Sequence, residues 1–305
     1  MDERLARVVD GIGSVLLGKQ QQVELALTCL IAGGHLLIED LPGMGKTLLA
    51  HSLARSLGLT YNRVQFTSDL LPADILGVSI FDRESGSFRF QPGPVFAQVL
   101  MADEINRSTP KTQSALLEAM EEGQVSIDGE TRPLPEPFFV IATQNPTFQT
   151  GTYPLPESQL DRFLMRIEIG FPTAEAEREI MRGVDRRTQM RSLQPLLSLC
   201  ELARIRTEVE AVHAADALID YVYRLVQHSR EGDYGFGLSP RGSLALLRAS
   251  KAWALMHGRR HALPEDVQAV LGPVAEHRLR GSAESGAREG ETLARRLLAH
   301  VDVIN

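Results

Sequence analysis

The stretch HLLIEDLPGMGKTLLAHSLARSL, residues 35–57, decides the fold of this chain. The apolar run Leu36–Glu39 predicts a buried strand, and leucines at positions 49, 53 and 57 predict an amphipathic helix. A Gly-Met-Gly-Lys-Thr turn lies between them. Strand, glycine turn and helix in this order build a concave site in which backbone N–H groups bind phosphate oxygens. The stretch therefore predicts a nucleotide-binding loop.

The turn follows the Walker A pattern G-x-x-x-x-G-K-[ST], except that Asp40 stands where the first glycine is expected. We expect the backbone from Gly43 to Thr47 to bind polyphosphate and Lys46 to reach the β- and γ-phosphates. Thr47 is expected to ligate Mg²⁺ through its hydroxyl. The alternative explanation is an ordinary glycine turn, but the strand before the motif and the helix after it argue against that reading.

Composition is that of an ordinary globular protein, with 305 residues, 43% hydrophobic, 23% charged and a formal net charge of −7. The length permits two domains, and the charge argues against a strongly basic nucleic-acid binder. Cys29 and Cys200 are predicted to be buried small hydrophobes and neither a disulfide framework nor a metal site. The sequence has no apolar leader or membrane-length apolar run, so we expect a cytoplasmic protein without membrane insertion.

Five runs rich in β-branched and aromatic residues predict strands, and the segments between them are long enough for helical crossovers. This alternation predicts the α/β class, with a five-stranded parallel sheet covered on both faces. Ligands are expected at the carboxyl ends of such strands. The predicted strands are Leu36–Glu39, Tyr61–Phe66, Val99–Ala102, Phe138–Thr143 and Phe163–Ile169.

Two pairs of shorter runs, near residues 78–90 and 124–135, predict hairpins inserted into the α/β part. After Phe171-Pro172-Thr173 helical periodicity replaces the strand pattern. We therefore expect an α/β domain at residues 1–172 and an all-helical domain at residues 173–305.

The helical part carries one clear start signal, Ser239 followed by Pro240, which predicts a helix that runs to about Gly258. Residues 281–292 are small, polar and rich in glycine, and they predict a flexible connection before a last helix.

The strand Val99–Ala102 ends in Asp103 and Glu104. We expect Asp103 to hold Mg²⁺ through water, because this cation keeps several waters and binds few protein carboxylates. Glu104 is expected to orient and deprotonate the attacking water as general base. Such a pair also occurs in ordinary solvated turns, but the phosphate loop upstream favours the catalytic interpretation.

Charge that builds on a transferring phosphoryl group calls for further polar partners. Asn145, which follows the fourth strand, could offer its amide to the water or the γ-phosphate, or could form an Asx turn. Arg162 is a candidate arginine finger for a neighbouring subunit, or a surface ion pair with Asp161. Arg241, the second residue of its helix, could fold onto the phosphates, or could be a solvated first-turn arginine.

Taken together, the motifs resemble those of MoxR-type ATPases of the AAA+ superfamily, in the helix-2-insert clade related to magnesium chelatase ATPase subunits. The resemblance implies a P-loop AAA+ core, with the five-stranded parallel sheet in an α-β-α sandwich, and a C-terminal all-α lid domain. It also implies that the first hairpin is the helix-2 insert and the second the pre-sensor-1 hairpin. The matching stretches are EDLPGMGKT, QFTSDLLPADILG, GPVFAQVLMADEINR, KTQSALLEAMEE, VIATQNP, YPLPESQLDRF and LSPRG.

The resemblance assigns roles to single residues, including Gly18 and Lys19, which resemble a segment that lies against adenine. The expected catalytic residues are Glu104, Asn145 (sensor 1), Arg162 (arginine finger) and Arg241 (sensor 2). The expected metal ligands are Thr47 and Asp103. The expected nucleotide-binding residues are Gly18, Lys19, Pro42, Gly43, Met44, Gly45, Lys46, Thr47 and Leu48.

By the same resemblance, we expect a homo-hexameric ring that binds ATP or ADP with Mg²⁺ and uses hydrolysis for chaperone-like remodelling or activation of a separate protein partner. Partners of the family commonly carry a von Willebrand factor A domain. A helicase-like nucleic-acid motor and a chelatase-like subunit that gates metal insertion are the alternatives. The hairpin regions carry only Arg83, Arg89 and Arg132 as basic residues, which argues against a nucleic-acid partner.

Overall fold

The computed structural model describes residues 1–84, 86–145, 151–183, 186–231, 234, 237–279 and 292–303, without the side chains of residues 186, 187 and 191. The connection expected at residues 281–292 lies outside this described part, except for its last residue. Within the described part the strands are β1 (Leu36–Glu39), β2 (Tyr61–Gln65), β3 (Gly77–Asp82), β4 (Ser87–Pro92), β5 (Val99–Asp103), β6 (Gln124–Ile127), β7 (Glu130–Pro133), β8 (Phe139–Gln144) and β9 (Met165–Ile167).

Helices lie between these strands and make up the named elements of the described chain after β9. Two short 3₁₀ turns, Pro94–Phe96 and Ile105–Arg107, flank β5. The α-helices are α1 (Glu3–Gly13), α2 (Gln20–Ile31), α3 (Lys46–Ser56), α4 (Pro72–Leu76), α5 (Pro110–Glu122), α6 (Glu157–Leu160), α7 (Ala174–Met181), α8 (Arg186–Ser192), α9 (Leu199–Glu210), α10 (Asp216–Glu231), α11 (Pro240–Met256), α12 (Pro264–Leu279) and α13 (Leu293–His300).

The central sheet has five strands in the order β2-β5-β8-β1-β9, and each neighbouring pair is parallel. The predicted five-stranded parallel sheet is confirmed. The fifth strand is shorter than predicted at both ends, and beyond its carboxyl end the backbone N–H of Ile169 donates to the carboxylate of Asp40 and not to a neighbouring strand. Parallel pairing brings the carboxyl ends of all five strands to one edge of the sheet, where the predicted site lies.

Both faces of the sheet are buried at β1, β5, β8 and β9, as the continuous apolar runs predicted, whereas the edge strand β2 is partly exposed. Leu36 and Ile38 of β1 face one core, which they share with apolar residues of α1, α2, α3 and the later helices. Leu37, between them, faces a second core shared with Leu116 and Leu117 of α5. Alternation along a single strand thus divides the interior into two layers on either side of the sheet.

The two predicted hairpins are present as β3–β4 and β6–β7, both antiparallel. The first lies between α4 and β5 and exposes Phe81 and Phe88, whose rings meet edge to face with centroids 5.3 Å apart. The second meets the first where the guanidinium of Arg132 lies 4.1 Å from the ring centroid of Phe90.

Of the two cysteines, Cys29 is buried in α2 as predicted, but the prediction for Cys200 is wrong. Cys200 lies in the first turn of α9 and is exposed. The buried face of this helix is formed by Leu202, Ile205 and Val209, whose helical spacing turns position 200 toward solvent. Among the helices that the structure describes, none is long and apolar enough to cross a membrane.

Candidate functional site

The glycine turn between β1 and α3 has the backbone that a phosphate loop requires. Gly43 and Gly45 have φ of +88° and +94°, which side chains other than glycine rarely adopt. A Cβ atom at Gly45 would also lie 3.0 Å from a methyl group of Leu16. Asp40 is not among the described non-glycine residues with positive φ, so the missing first glycine of the motif causes no backbone strain here.

The ammonium group of Lys46 is buried inside this loop. It donates to the backbone carbonyls of Asp40 at 2.6 Å and Leu41 at 3.1 Å, and to Oδ1 of Asn145 at 3.3 Å. Burial lowers the pKa of Lys46, while the charges of Asp40, Asp103 and Glu104 oppose that shift. The Lys46 ammonium group is thus held inside the phosphate loop by neutral acceptors.

The two predicted carboxylates lie opposite the loop, at the end of β5. Glu104 has the left-handed φ of +56°, which turns the chain sharply after Asp103. Its backbone N–H donates to Oγ1 of Thr143 at 2.9 Å, and that hydroxyl donates to Oδ1 of Asp103 at 2.5 Å. One threonine of β8 therefore fixes both the strained peptide and the orientation of the Asp103 carboxylate.

Asn145 joins the carboxylates to the loop. Its amide nitrogen donates to Oε1 of Glu104 at 3.1 Å, while its amide oxygen accepts from Lys46. The structure therefore brings together four predicted residues, Lys46, Asp103, Glu104 and Asn145, in one cleft of about 730 Å³ that Thr47 also lines. Their catalytic roles remain predictions.

Residues in and beside this cleft that were not among the predicted site residues bind the two carboxylates. Arg63 of β2 forms an ion pair with Asp103, with Nη2 2.6 Å from Oδ2. Gln65 of the same strand donates to Oε2 of Glu104 at 2.8 Å, and Arg107 donates to the same oxygen at 3.0 Å. Polar residues at alternate positions near the end of a sheet strand were the signal available in the sequence.

The donor set in the cleft fits a magnesium ion. Thr47 offers a hydroxyl and Asp103 a single carboxylate, and oxygen donors of this kind suit a hard cation that retains water. Groups of three or more His, Cys, Asp or Glu side chains that could hold a metal are absent from the described residues. A cation here would therefore be held by few protein ligands, together with phosphate oxygens and water.

Arg162 and Arg241 lie elsewhere. Both form ion pairs with Glu121, at the end of α5, and the Arg162 pair measures 2.9 Å. The cavity that they line, of about 840 Å³, also includes His35, which precedes β1. It therefore lies at the amino edge of the sheet, whereas the phosphate loop follows the carboxyl end of β1. In this structure Arg241 does not reach the phosphate loop of its own chain, because the length of β1 separates them, and its role toward the phosphates stays a prediction.

His35 lines this second cavity, and its hydrogen bonds hold the imidazole ring in the neutral form. Its Nδ1 accepts from the backbone N–H of Val140 at 3.0 Å, and its Nε2 lies 3.1 Å from the carbonyl oxygen of Met120. The first contact needs an unprotonated Nδ1, so the second must use Nε2–H as donor. Burial lowers the pKa of His35 to about 4.

Gly18 and Lys19 lie next to the start of α7. The Lys19 ammonium donates to the carbonyl of Phe171 at 2.5 Å, and Gly18 approaches the side chains of Thr173 and Ala176. Leu16, two residues before Gly18, lies so near the phosphate loop that a Cβ atom added to Gly45 would be 3.0 Å from its methyl group. This geometry brings the predicted adenine segment alongside the loop, and its contact with adenine remains a prediction.

Comparison with family models gives two matches. Residues 35–165 match the model described as ATPase family associated with various cellular activities (AAA), and residues 231–297 match an AAA lid domain. The first match contains the phosphate loop and both carboxylates, and the second contains Arg241.

Full-length relatives extend these matches. The chain is 42% identical over 302 residues to the uncharacterized protein YeaC of Bacillus subtilis, which covers 98% of this chain and 94% of that protein. It is 43% identical over 287 residues to Chaperone MoxR1 of Mycobacterium tuberculosis, covering 90% and 75%. A crystal structure from Cytophaga hutchinsonii, described as a candidate ATPase, aligns with a TM-score of 0.86 and 38% identity, covering 98% and 94%.

Proposed function

Because the chain belongs to the MoxR family of AAA+ ATPases and hydrolyses ATP, we propose that it uses Mg²⁺-dependent hydrolysis to remodel or activate a separate partner protein. The observation that carries the proposal is the continuous set of contacts from Lys46 through the Asn145 amide to Glu104. It joins the cation proposed to bind the phosphates to the carboxylate proposed to activate the attacking water. A static nucleotide-binding module has no need of that carboxylate.

In the proposed reaction, Glu104 accepts a proton from a water molecule whose oxygen attacks the γ-phosphorus. The bond from that phosphorus to the β–γ bridging oxygen breaks, and ADP and phosphate are released. Asn145 orients the water or the γ-phosphate while it holds Glu104. Thr47 and Asp103 would hold Mg²⁺, which when bound would supply positive charge that stabilises the charge developing on the phosphates.

The reaction is proposed to be completed by a second subunit. Arg162 and Arg241 share one cluster at the amino edge of the sheet, away from the phosphate loop of their own chain. If the phosphate loop of one subunit meets the arginine cluster of the next, the two sides of the interface differ, and the contact is heterologous. Repeated contacts of this kind form a closed ring when the rotation from one subunit to the next adds up to a full turn. We therefore assign both arginines to the nucleotide of a neighbouring subunit in a hexameric ring.

A protein partner is favoured by the first hairpin and by the relatives. Phe81 and Phe88 are 52% and 73% exposed, and an aromatic pair of this kind is a typical anchor for protein contacts. The name of the Mycobacterium tuberculosis relative, a chaperone, supports the same reading. A partner with a von Willebrand factor A domain remains our preferred candidate, and we place the division between the ATPase core and the helical lid near residue 173.

The nucleic-acid alternative has little support in the hairpins. Of their three arginines, Arg132 is engaged by the carboxylate of Glu130 and by the ring of Phe90. Only Arg83 and Arg89 then remain for phosphate contacts in the described hairpin residues. The chelatase-like alternative differs from the proposed function only in the protein that is acted on. Identification of the partner, in the experiment described next, therefore distinguishes the two.

The proposal is tested with Glu104→Gln, which keeps ATP bound because the general base is lost. We expect this variant, loaded with ATP, to retain from its native cell extract a protein that is released when ADP replaces ATP. Lys46→Ala, which cannot hold the phosphates, serves as the control and should retain nothing. The released protein, once purified, must raise the ATPase rate of the unmodified chain. Stimulation by DNA alone, or by no protein, would refute the proposed function.

A further inference from the structure

Asp40, the residue in place of the first Walker A glycine, makes contacts that no glycine could make. Its Oδ2 accepts from the backbone N–H groups of Ile169 at 2.8 Å and Gly170 at 2.7 Å. Its Oδ1 accepts from the N–H of Leu41 at 2.7 Å, and the side chain is buried. The partners of Oδ2 are 129 and 130 positions away in the sequence, so these bonds join two distant parts of the chain.

The residues that Asp40 holds are the start of the connector, residues 169–173, which leads from β9 to α7. Thr173 ends the connector and caps α7, where its hydroxyl accepts from the N–H of Ala176 at 3.3 Å. A second charged side chain holds the same segment, because Lys19 donates to the carbonyl of Phe171 at 2.5 Å. The connector is thus held beside the phosphate loop by two attachments. The Asp40 carboxylate accepts from two of its N–H groups, and the Lys19 ammonium donates to one of its carbonyls.

The same residue also contacts the loop lysine. The backbone carbonyl of Asp40 is the nearest acceptor of Lys46, at 2.6 Å. A bound polyphosphate would compete with that carbonyl for the ammonium group of Lys46. Because the carbonyl and the carboxylate belong to one residue, a shift of the Asp40 backbone moves the acceptor of the two connector N–H groups as well.

We propose that Asp40 is a positioning residue that couples the phosphate loop to the connector and, through it, to α7 and the helices that follow. The inference rests on the proposed binding of nucleotide at the loop and adds a route by which the bound nucleotide acts on the helical part. Hydrogen bonds to a charged acceptor are stronger than those between neutral groups, and buried N–H groups that lose their acceptor are costly. Nucleotide-induced movement of the loop therefore carries the connector with it.

A purely structural role is the competing explanation, and it makes a different prediction. If Asp40 only stabilises the fold, its loss lowers stability equally with and without nucleotide. If Asp40 couples the phosphate loop to the connector, then in its absence nucleotide still affects the loop but no longer affects the connector.

The test is hydrogen–deuterium exchange with and without saturating ADP, on the full chain and on Asp40→Gly, Asp40→Asn and Asp10→Asn. In the unmodified chain, ADP should slow exchange both in the loop, residues 42–47, and in the connector. In Asp40→Gly, exchange at Ile169 and Gly170 should rise about tenfold or more, since these N–H groups lose their acceptor. ADP should still slow exchange in the loop but no longer in the connector.

Affinity gives a second readout. The Kd for ADP should rise about tenfold in Asp40→Gly, because the loop loses the charged acceptor whose hydrogen bonds hold it against the connector. Asp40→Asn keeps one acceptor oxygen and should be intermediate in both measurements. Asp10 is an exposed carboxylate of α1, and Asp10→Asn should match the unmodified chain.

The proposal is overturned if Asp40→Gly retains the response of the connector to ADP, whatever its stability. Should this variant fail to fold, Asp40→Asn and Lys19→Met decide in the same way, because each weakens one of the two attachments. Failure of the proposed function has a different signature, which is the absence of ADP protection at residues 42–47 in the unmodified chain.

Discussion

Replacement of Arg162 by alanine tests whether catalysis requires two subunits. In the resting chain Arg162 is paired with Glu121, and the two side chains are 28% and 35% exposed. A pair of this exposure is worth about 0–1 kcal/mol, so its loss changes the free energy of unfolding little. An arginine finger, in contrast, is worth roughly 10³ to 10⁵ in turnover. We therefore expect kcat to fall by about 10³ or more in Arg162→Ala.

Nucleotide binding should be nearly unchanged in this variant. Arg162 lines the cavity at the amino edge of the sheet, whereas Lys46, Thr47 and Asp103 line the cleft at the carboxyl edge. Titration calorimetry with ADP should give a Kd within about threefold of the unmodified value, a difference below 1 kcal/mol. Arg182→Ala, which removes an exposed arginine paired with Glu179, is the matched control and should retain full activity.

A mixing experiment gives the decisive result. Arg162→Ala and Lys46→Ala are each expected to be inactive, but in a mixed ring an intact loop can face an intact arginine. Random assembly of equal amounts places such a pair at about a quarter of the interfaces, so about a quarter of the activity should return. If the mixture stays as inactive as its components, or if Arg162→Ala turns over normally, the arginine does not act across an interface.

Three further predictions follow from the geometry of single residues. Glu104→Gln should bind ATP with unchanged affinity but form ADP at least about 100-fold more slowly in a single-turnover assay, since general base catalysis is lost; rapid ADP formation would contradict the assigned role. Arg63→Ala should lower the Mg²⁺ concentration for half-maximal ADP binding by up to about fivefold, because the exposed guanidinium no longer competes for Asp103; a weaker Mg²⁺ response would show that Arg63 supports the site. The free energy of unfolding should decrease as the pH falls from 6.5 to 4, by up to about 3 kcal/mol, because folding lowers the pKa of His35 to about 4 and the unfolded chain takes up the proton first. Urea titrations of His35→Gln should lack this component, and an unchanged pH dependence in that variant would assign it to other groups.

Much of the fold was predictable from the sequence, because strands and helices are encoded by local periodicity. The run Phe138–Thr143 was apolar at nearly every position, and it forms the buried central strand β8. The burial of Cys200 was predicted wrongly, because local periodicity gives the helix but not the position of each residue around it. An apolar stretch indicates a helix, but only the packing of Leu202, Ile205 and Val209 decides which side of it is buried.

The candidate site likewise contains residues that the sequence revealed and residues that it did not. The glycine loop and the Asp103–Glu104 pair could be found because each is contiguous in the sequence and follows a recognisable strand. The alternating polar residues of β2 gave a signal, but they could not be matched to the carboxylates, since Arg63 reaches Asp103 only through the pairing of β2 with β5. The position of Arg241 was likewise decided by the docking of α11 against the amino edge of the sheet.

By itself, therefore, the sequence determined the class of fold, the phosphate loop and the identity of the acidic pair. The tertiary structure alone decided that Asp40 holds the connector and that the two arginines lie at the opposite edge from the loop. The physical reason is that hydrophobic periodicity and turn chemistry act over a few residues, whereas hydrogen bonds and ion pairs between distant side chains exist only after the strands have paired and the helices have packed.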